Sequence, residues 1–77
     1  MEMKPIEKSS NVKAIGYDPE SKKMRVAFKG KDGDNVYEYT DVEPHVHAEM
    51  LSAESAGSYF AKHVRGNYSV EKLKGEW

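Results

Sequence analysis

The clearest pattern in the chain is the alternation over residues 24–29. Met24, Val26 and Phe28 take one side, and Arg25, Ala27 and Lys29 the other, the period-two signature of a half-buried strand. A preceding strand is expected over residues 11–17. It ends at Asp18-Pro19-Glu20-Ser21, where proline fixes one φ and aspartate can cap its own backbone. Gly30-Lys31-Asp32-Gly33 closes a hairpin with two glycines free to take positive φ. A third strand follows over residues 35–40. Its parity puts Tyr37 and Tyr39 on one face and Val36, Glu38 and Thr40 on the other, with Glu38 expected in solvent.

After Asp41 the period becomes helical. Pro44 suits a first turn, where its missing N–H would be unpaired anyway, and Val46, Met50, Leu51 and Ala53 share a stripe. Ser55 is placed to cap a second helix, whose apolar face carries Ala56, Tyr59, Phe60, His63 and Val64. Gly66 is placed to end it in a left-handed residue. The expected fold is α+β: a three-stranded antiparallel β-meander followed by two α-helices packed on one face. Residues 1–8 read as a flexible N-terminal arm, residues 9–70 as the single domain and residues 71–77 as a short tail with Tyr68, Val70 and Leu73 as nearby packing points.

Composition alters this picture in two ways. Leu, Ile, Val and Phe make up only 13 of 77 residues, so five Tyr and four Met must help to build the core. A core this thin leaves little room for a deep substrate cavity. Twelve basic and thirteen acidic residues nearly cancel, so any basic patch must be assembled by folding. The absence of cysteine excludes disulfides, thiolate metal sites and thiol catalysis. No apolar run approaches a membrane span and residues 1–10 lack a signal-peptide core, so a cytoplasmic setting with no membrane partner is expected.

Candidate chemistry is sparse. Tyr37 and Tyr39 either face the helices as core, with hydroxyls at the rim, or stack on exposed bases. Arg25 and Lys29 point to the uncovered side of the sheet, where Lys13 can join them. Lys62 and Arg65 lie late in the second helix, where cations contact phosphate or complement the helix dipole. His45 and His47 stand two apart, which on a helix points them in different directions, so no metal site is expected. His63 reads as a partly buried packing residue. No nucleophile elbow or phosphate loop is present, and neither catalysis nor a cofactor is expected.

The ordered set Ser10-Asn11, Ile15-Gly16-Tyr17-Asp18, Val26, Phe28 and Gly30 resembles the KTSC domain family. The match continues through Tyr37-Glu38-Tyr39, which is similar to the family's central YxY, and then through Val42, Pro44, Leu51, Ser55, Gly57, Tyr59-Phe60, Arg65 and Tyr68. That family is named for the C-terminus of some lysyl-tRNA synthetases and also occurs as small stand-alone bacterial and phage proteins. The resemblance implies RNA binding, through the synthetase connection. By position its matching residues are Tyr37, Tyr39, Tyr59, Phe60 and Arg65, most of which look like core, whereas Arg65 near a helix end fits either an anion contact or a cap on a neighbouring carbonyl. The hairpin departs from the family pattern: it is longer and more acidic, with Asp32 and Asp34 near Tyr37, charges that repel phosphate.

Two readings follow. The first is an RNA- or nucleic-acid-binding module with Arg25, Lys29, Lys62 and Arg65 on phosphate and Tyr37 or Tyr39 stacking. The alternative is a protein-interaction accessory module of bacterial or phage origin, with an exposed apolar patch around Tyr68, Trp77 or an open sheet edge. The expected state is a monomer.

Overall fold

A computed structural model describes residues 2–6, 11–30 and 35–73. Three strands form where the alternation places them: β2 (Val12–Asp18), β3 (Lys23–Phe28) and β4 (Asn35–Tyr39). Two further strands extend the meander, β1 (Met3–Pro5) before it and β5 (Val70–Leu73) after it. Among the described residues the sheet therefore has five antiparallel strands in the order β1-β2-β3-β4-β5, not three. Part of the expected N-terminal arm and part of the expected tail are its edges. Both are short and rich in charge, and β1 contains Pro5, as suits edge positions that must not template further pairing.

The turn after β2 is built as its residues suggest. Asp18 accepts hydrogen bonds from the Glu20 N–H at 3.1 Å and the Ser21 hydroxyl at 3.0 Å, which also holds its carboxyl below the usual range. The proposed hairpin tip at residues 31–34 lies outside the described residues. After β4 the chain turns through Asp41, at φ 58, and enters α1 (Pro44–Ser52) with proline in the first turn. Ser55 caps α2 (Ala56–Tyr59), accepting the Ser58 N–H at 3.3 Å. The helix then widens into a π-helical turn over Phe60–Val64, and Gly66 follows at φ 81. With nothing within 4 Å of the place its Cβ would occupy, Gly66 answers a backbone need rather than a packing one.

The main core lies between the sheet and the helices. Ile15, Met24, Val26 and Tyr39 from the sheet meet Val46 and Met50 from α1, and Ala56 and Val64 from the second helical segment. Val42, on the connection, is fixed by the Tyr17 hydroxyl donating to its carbonyl at 2.6 Å. Leu51 is only half-buried, and so is Ala53, which lies just past α1. His63 is exposed, not partly buried, with its ring 4.6 Å from that of Tyr59. The wide turn rotates it off the apolar stripe that regular helical spacing gives it.

The opposite face of the sheet is not simply solvated. Ala14, Ala27 and Val36 align across three strands and are buried under Met3 and Leu73. Glu38, expected in solvent, is buried beside them. Arg25 sits directly opposite in the register and donates to its carboxylate at 2.7 Å, while the Lys23 ammonium stands 3.6 Å from the second oxygen. That hydrogen bond, helped by the two positive charges and against the effect of burial, holds the Glu38 carboxyl below its ordinary acidity range.

Candidate functional site

A π-helical turn closes its backbone from residue i to residue i+5. Here the Arg65 N–H donates to the Phe60 carbonyl at 2.8 Å. In a regular helix of about 3.6 residues per turn, residues five apart point about 140° away from each other. The wider turn brings them back toward one side, so Phe60 and Arg65 border the same hollows. Such turns are rare and often mark functional positions.

Opposite this turn stands the end of the β3–β4 hairpin. Phe28 and Tyr37 project from it toward the helices. The rings form an edge-to-face cluster: Phe28 with Tyr37 at 5.8 Å, Phe28 with Phe60 at 5.0 Å, and Tyr39 with Phe60 at 5.5 Å. Phe28, Tyr37 and Phe60 are half-buried, whereas Tyr39 is only 5% exposed. Around the cluster runs a shallow cleft with Arg65 along it and Lys29 at one end. Among the described residues neither cation meets a carboxylate.

Tyr39 is the most buried residue lining this cleft. Burial, and secondarily the neighbouring Tyr37, push its pKa up to about 12, with Arg65 opposing. It therefore stays a neutral donor across physiological pH. Its stabilising contribution is complete below the ordinary tyrosine value and is lost as pH rises from about 10 toward about 12. Asn35, at the start of β4, adds an amide to the wall.

The predicted site residues thus divide. Lys29, Tyr37, Tyr39 and Arg65 come together at the cleft. Arg25 does not: it lies on the other face, bound to Glu38. Lys62 is exposed beside Ser58, Tyr59 and His63, in a separate hollow. Lys29 lines the helix-side cleft, although its parity assigned it to the uncovered face. Lys13 makes interactions of its own at the irregular step of β2.

Two aromatic residues that line the site, and one cation beside it, are not binding candidates in the sequence: Phe28 reads as core, and Phe60 enters only as a position matched by the family resemblance. Lys72 lies opposite Tyr37 in the β4–β5 register, on the same face, and nothing in its local sequence announces β5. Elsewhere, a groove of about 280 Å³ between β1 and the end of α1 offers Lys4 but no aromatic ring. His47 stacks on Tyr17 at 5.0 Å, and burial together with Lys4 holds its pKa below the ordinary value. No metal-binding group of side chains occurs among the described residues. No described helix is long and apolar enough to cross a membrane.

Comparison with known proteins places this architecture. The chain is 34% identical over 64 residues to a lysine–tRNA ligase of Nostoc sp., a match covering 83% of this chain and 11% of the ligase. It is 39% identical over 71 residues to a protein of Tsukamurella paurometabola, covering 92% of this chain and all of that one. The crystal structure of a KTSC domain protein from Yersinia pestis superimposes with a TM-score of 0.85 at 29% identity, covering 95% of this chain and 97% of the other. The KTSC domain model matches residues 8–68, and the chain belongs to the KTSC domain family.

Proposed function

We propose that this protein is a small non-catalytic module that binds RNA at the cleft between the β3–β4 hairpin and the π-helical turn. The observation that carries this reading is the meeting, in one open cleft, of half-buried aromatic rings with two cations that have no carboxylate partner among the described residues. Aromatic edges and faces accept bases, and a guanidinium accepts phosphate. A similar stretch forms part of a lysine–tRNA ligase, an enzyme named for a tRNA substrate, which is the second support.

The perturbed tyrosines and Glu38 suit binding and stability rather than proton transfer. Burial holds Tyr17, Tyr39 and Tyr59 neutral beyond their ordinary range, and Arg25 holds Glu38 ionised. None of these is poised to exchange a proton near neutral pH. The protein-interaction alternative has less support among the described residues: Tyr68 is half-buried and the exposed large hydrophobic is Val70, at 54%, while Trp77 lies outside the described residues.

The test is fluorescence anisotropy of a labelled single-stranded RNA with the full chain at low salt. Saturable binding that weakens with added salt, and weakens again in Arg65→Gln, is the expected result. Binding that is unchanged in Arg65→Gln removes the cleft from the account, and no binding at all removes RNA.

A further inference from the structure

The cleft consists of two hollows. One, of about 340 Å³, lies toward β2 and includes Lys29 and Gly57. The other, of about 330 Å³, lies toward β5 and includes Asn35, Tyr37 and Tyr39. Phe28, Phe60 and Arg65 belong to both. The Phe28–Phe60 contact, with centroids 5.0 Å apart, is the wall between them. Arg65 is thus flanked by a hollow on each side.

Cations also stand at both ends. Lys29 lines the first hollow. Lys72 does not line the second hollow but pairs across β4 and β5 with Tyr37, which does, and directly opposed residues bring their Cβ atoms within about 4.5–5.5 Å of each other. Lys29 thus belongs to the first hollow alone, Arg65 to both, and Lys72 neighbours a residue of the second alone, an arrangement that reads as cation, hollow, cation, hollow, cation. An unpaired nucleic-acid strand has the same order: phosphate, base, phosphate, base, phosphate.

Resting on the RNA reading of this cleft, we propose that it takes two consecutive unpaired nucleotides, one base in each hollow. The phosphate joining them lies on Arg65, and the flanking phosphates face Lys29 and Lys72. The guanidinium suits the central place because its planar fork can bind two phosphate oxygens at once. Asn35 offers both a donor and an acceptor to the edge of the second base. A duplex does not fit this arrangement. Its base faces are stacked on one another, and the hollows offer ring edges and walls rather than a long basic track.

The test is a competition series on the full chain, displacing a labelled single-stranded octanucleotide at low salt. The competitors are a nucleoside monophosphate, a dinucleotide, a tetranucleotide and an eight-base-pair duplex. Affinity is expected to rise about tenfold from mononucleotide to dinucleotide, the gain of one stacked base. It then rises less than about threefold to the tetranucleotide, and the duplex does not compete. Octanucleotide binding falls with salt at a log–log slope of about −2, as expected for three cations on a single strand. Arg65→Gln, an exposed position, reduces the mononucleotide-to-dinucleotide gain more than Lys72→Gln does. Affinity that climbs steadily to the octanucleotide, or a duplex that competes as well as the single strand, overturns the two-nucleotide site while RNA binding stands. Failure of the labelled octanucleotide to bind overturns both.

Discussion

On the outer face of the sheet, Arg25 reaches across to Glu38 and is held to it at 2.7 Å, with Lys23 on the same carboxylate. On the helix side, Lys29, just past the end of the same strand, borders Phe28 and Phe60 and meets no carboxylate among the described residues. Both cations come from one short basic segment, and their spacing does not separate them. What separates them is the residue that folding sets opposite each. A carboxylate turns Arg25 into part of the sheet, since a charge half withdrawn from water is most stable when paired. An aromatic wall leaves Lys29 and Arg65 with charge to offer to something from outside.

The largest expected effect breaks the helix-side face as a whole. Ile15→Ala removes a fully buried side chain from the core between the sheet and the helices and is expected to cost about 3 kcal/mol in chemical denaturation, enough to threaten the folding of so small a domain. A loss under about 1 kcal/mol shows that the sheet and helices are not packed as described. Arg65→Gln sharpens the comparison from the other direction: RNA affinity falls about tenfold, the order expected for a charge-assisted phosphate contact, while the thermal midpoint stays put. A lowered midpoint without a change in affinity would give Arg65 a structural role.

Glu38→Gln tests the outer face. The expected loss is about 1 kcal/mol at neutral pH, modest because the Arg25 side chain is 41% exposed, with RNA affinity unchanged. Because the Glu38 carboxyl is held below its ordinary range, its contribution is present at neutral pH and fades as pH falls below about 4.5 through the folded-state value. The acid limb of a stability-against-pH curve is therefore flatter in Glu38→Gln. An unchanged acid limb counts against the ion pair. Smallest of all is Lys62→Gln: an exposed lysine outside the cleft, its loss leaves both stability and RNA affinity within error, measured by thermal melt and anisotropy.

How far the sequence announces this structure varies by element. The three central strands are legible because each buries one face or both, and burial writes alternation into residues such as Met24, Val26 and Phe28. The edge strands are not. Met3-Lys4-Pro5 and Val70-Glu71-Lys72-Leu73 are mostly exposed, so no apolar period marks them, and their charges and Pro5 imitate a tail. Glu38 misleads for a related reason: its burial depends on Arg25 across the ladder, a pairing set by register rather than by local composition. Of the site, Tyr37, Tyr39, Lys29 and Arg65 are legible as residues. Their convergence is not, because it depends on a π-helical turn that places Phe60 and Arg65 together, and on a fifth strand that delivers Lys72.

The measurement that bears most directly on the central claim is an NMR titration of the labelled full chain with a short single-stranded RNA at low salt. The account predicts shifts concentrated on Lys29, Tyr37, Tyr39, Phe60, Arg65 and Lys72, reversed by added salt, with Lys23, Arg25 and Lys62 unmoved. Shifts centred on Arg25 and its strand neighbours, or a spectrum unmoved at millimolar RNA, would contradict it.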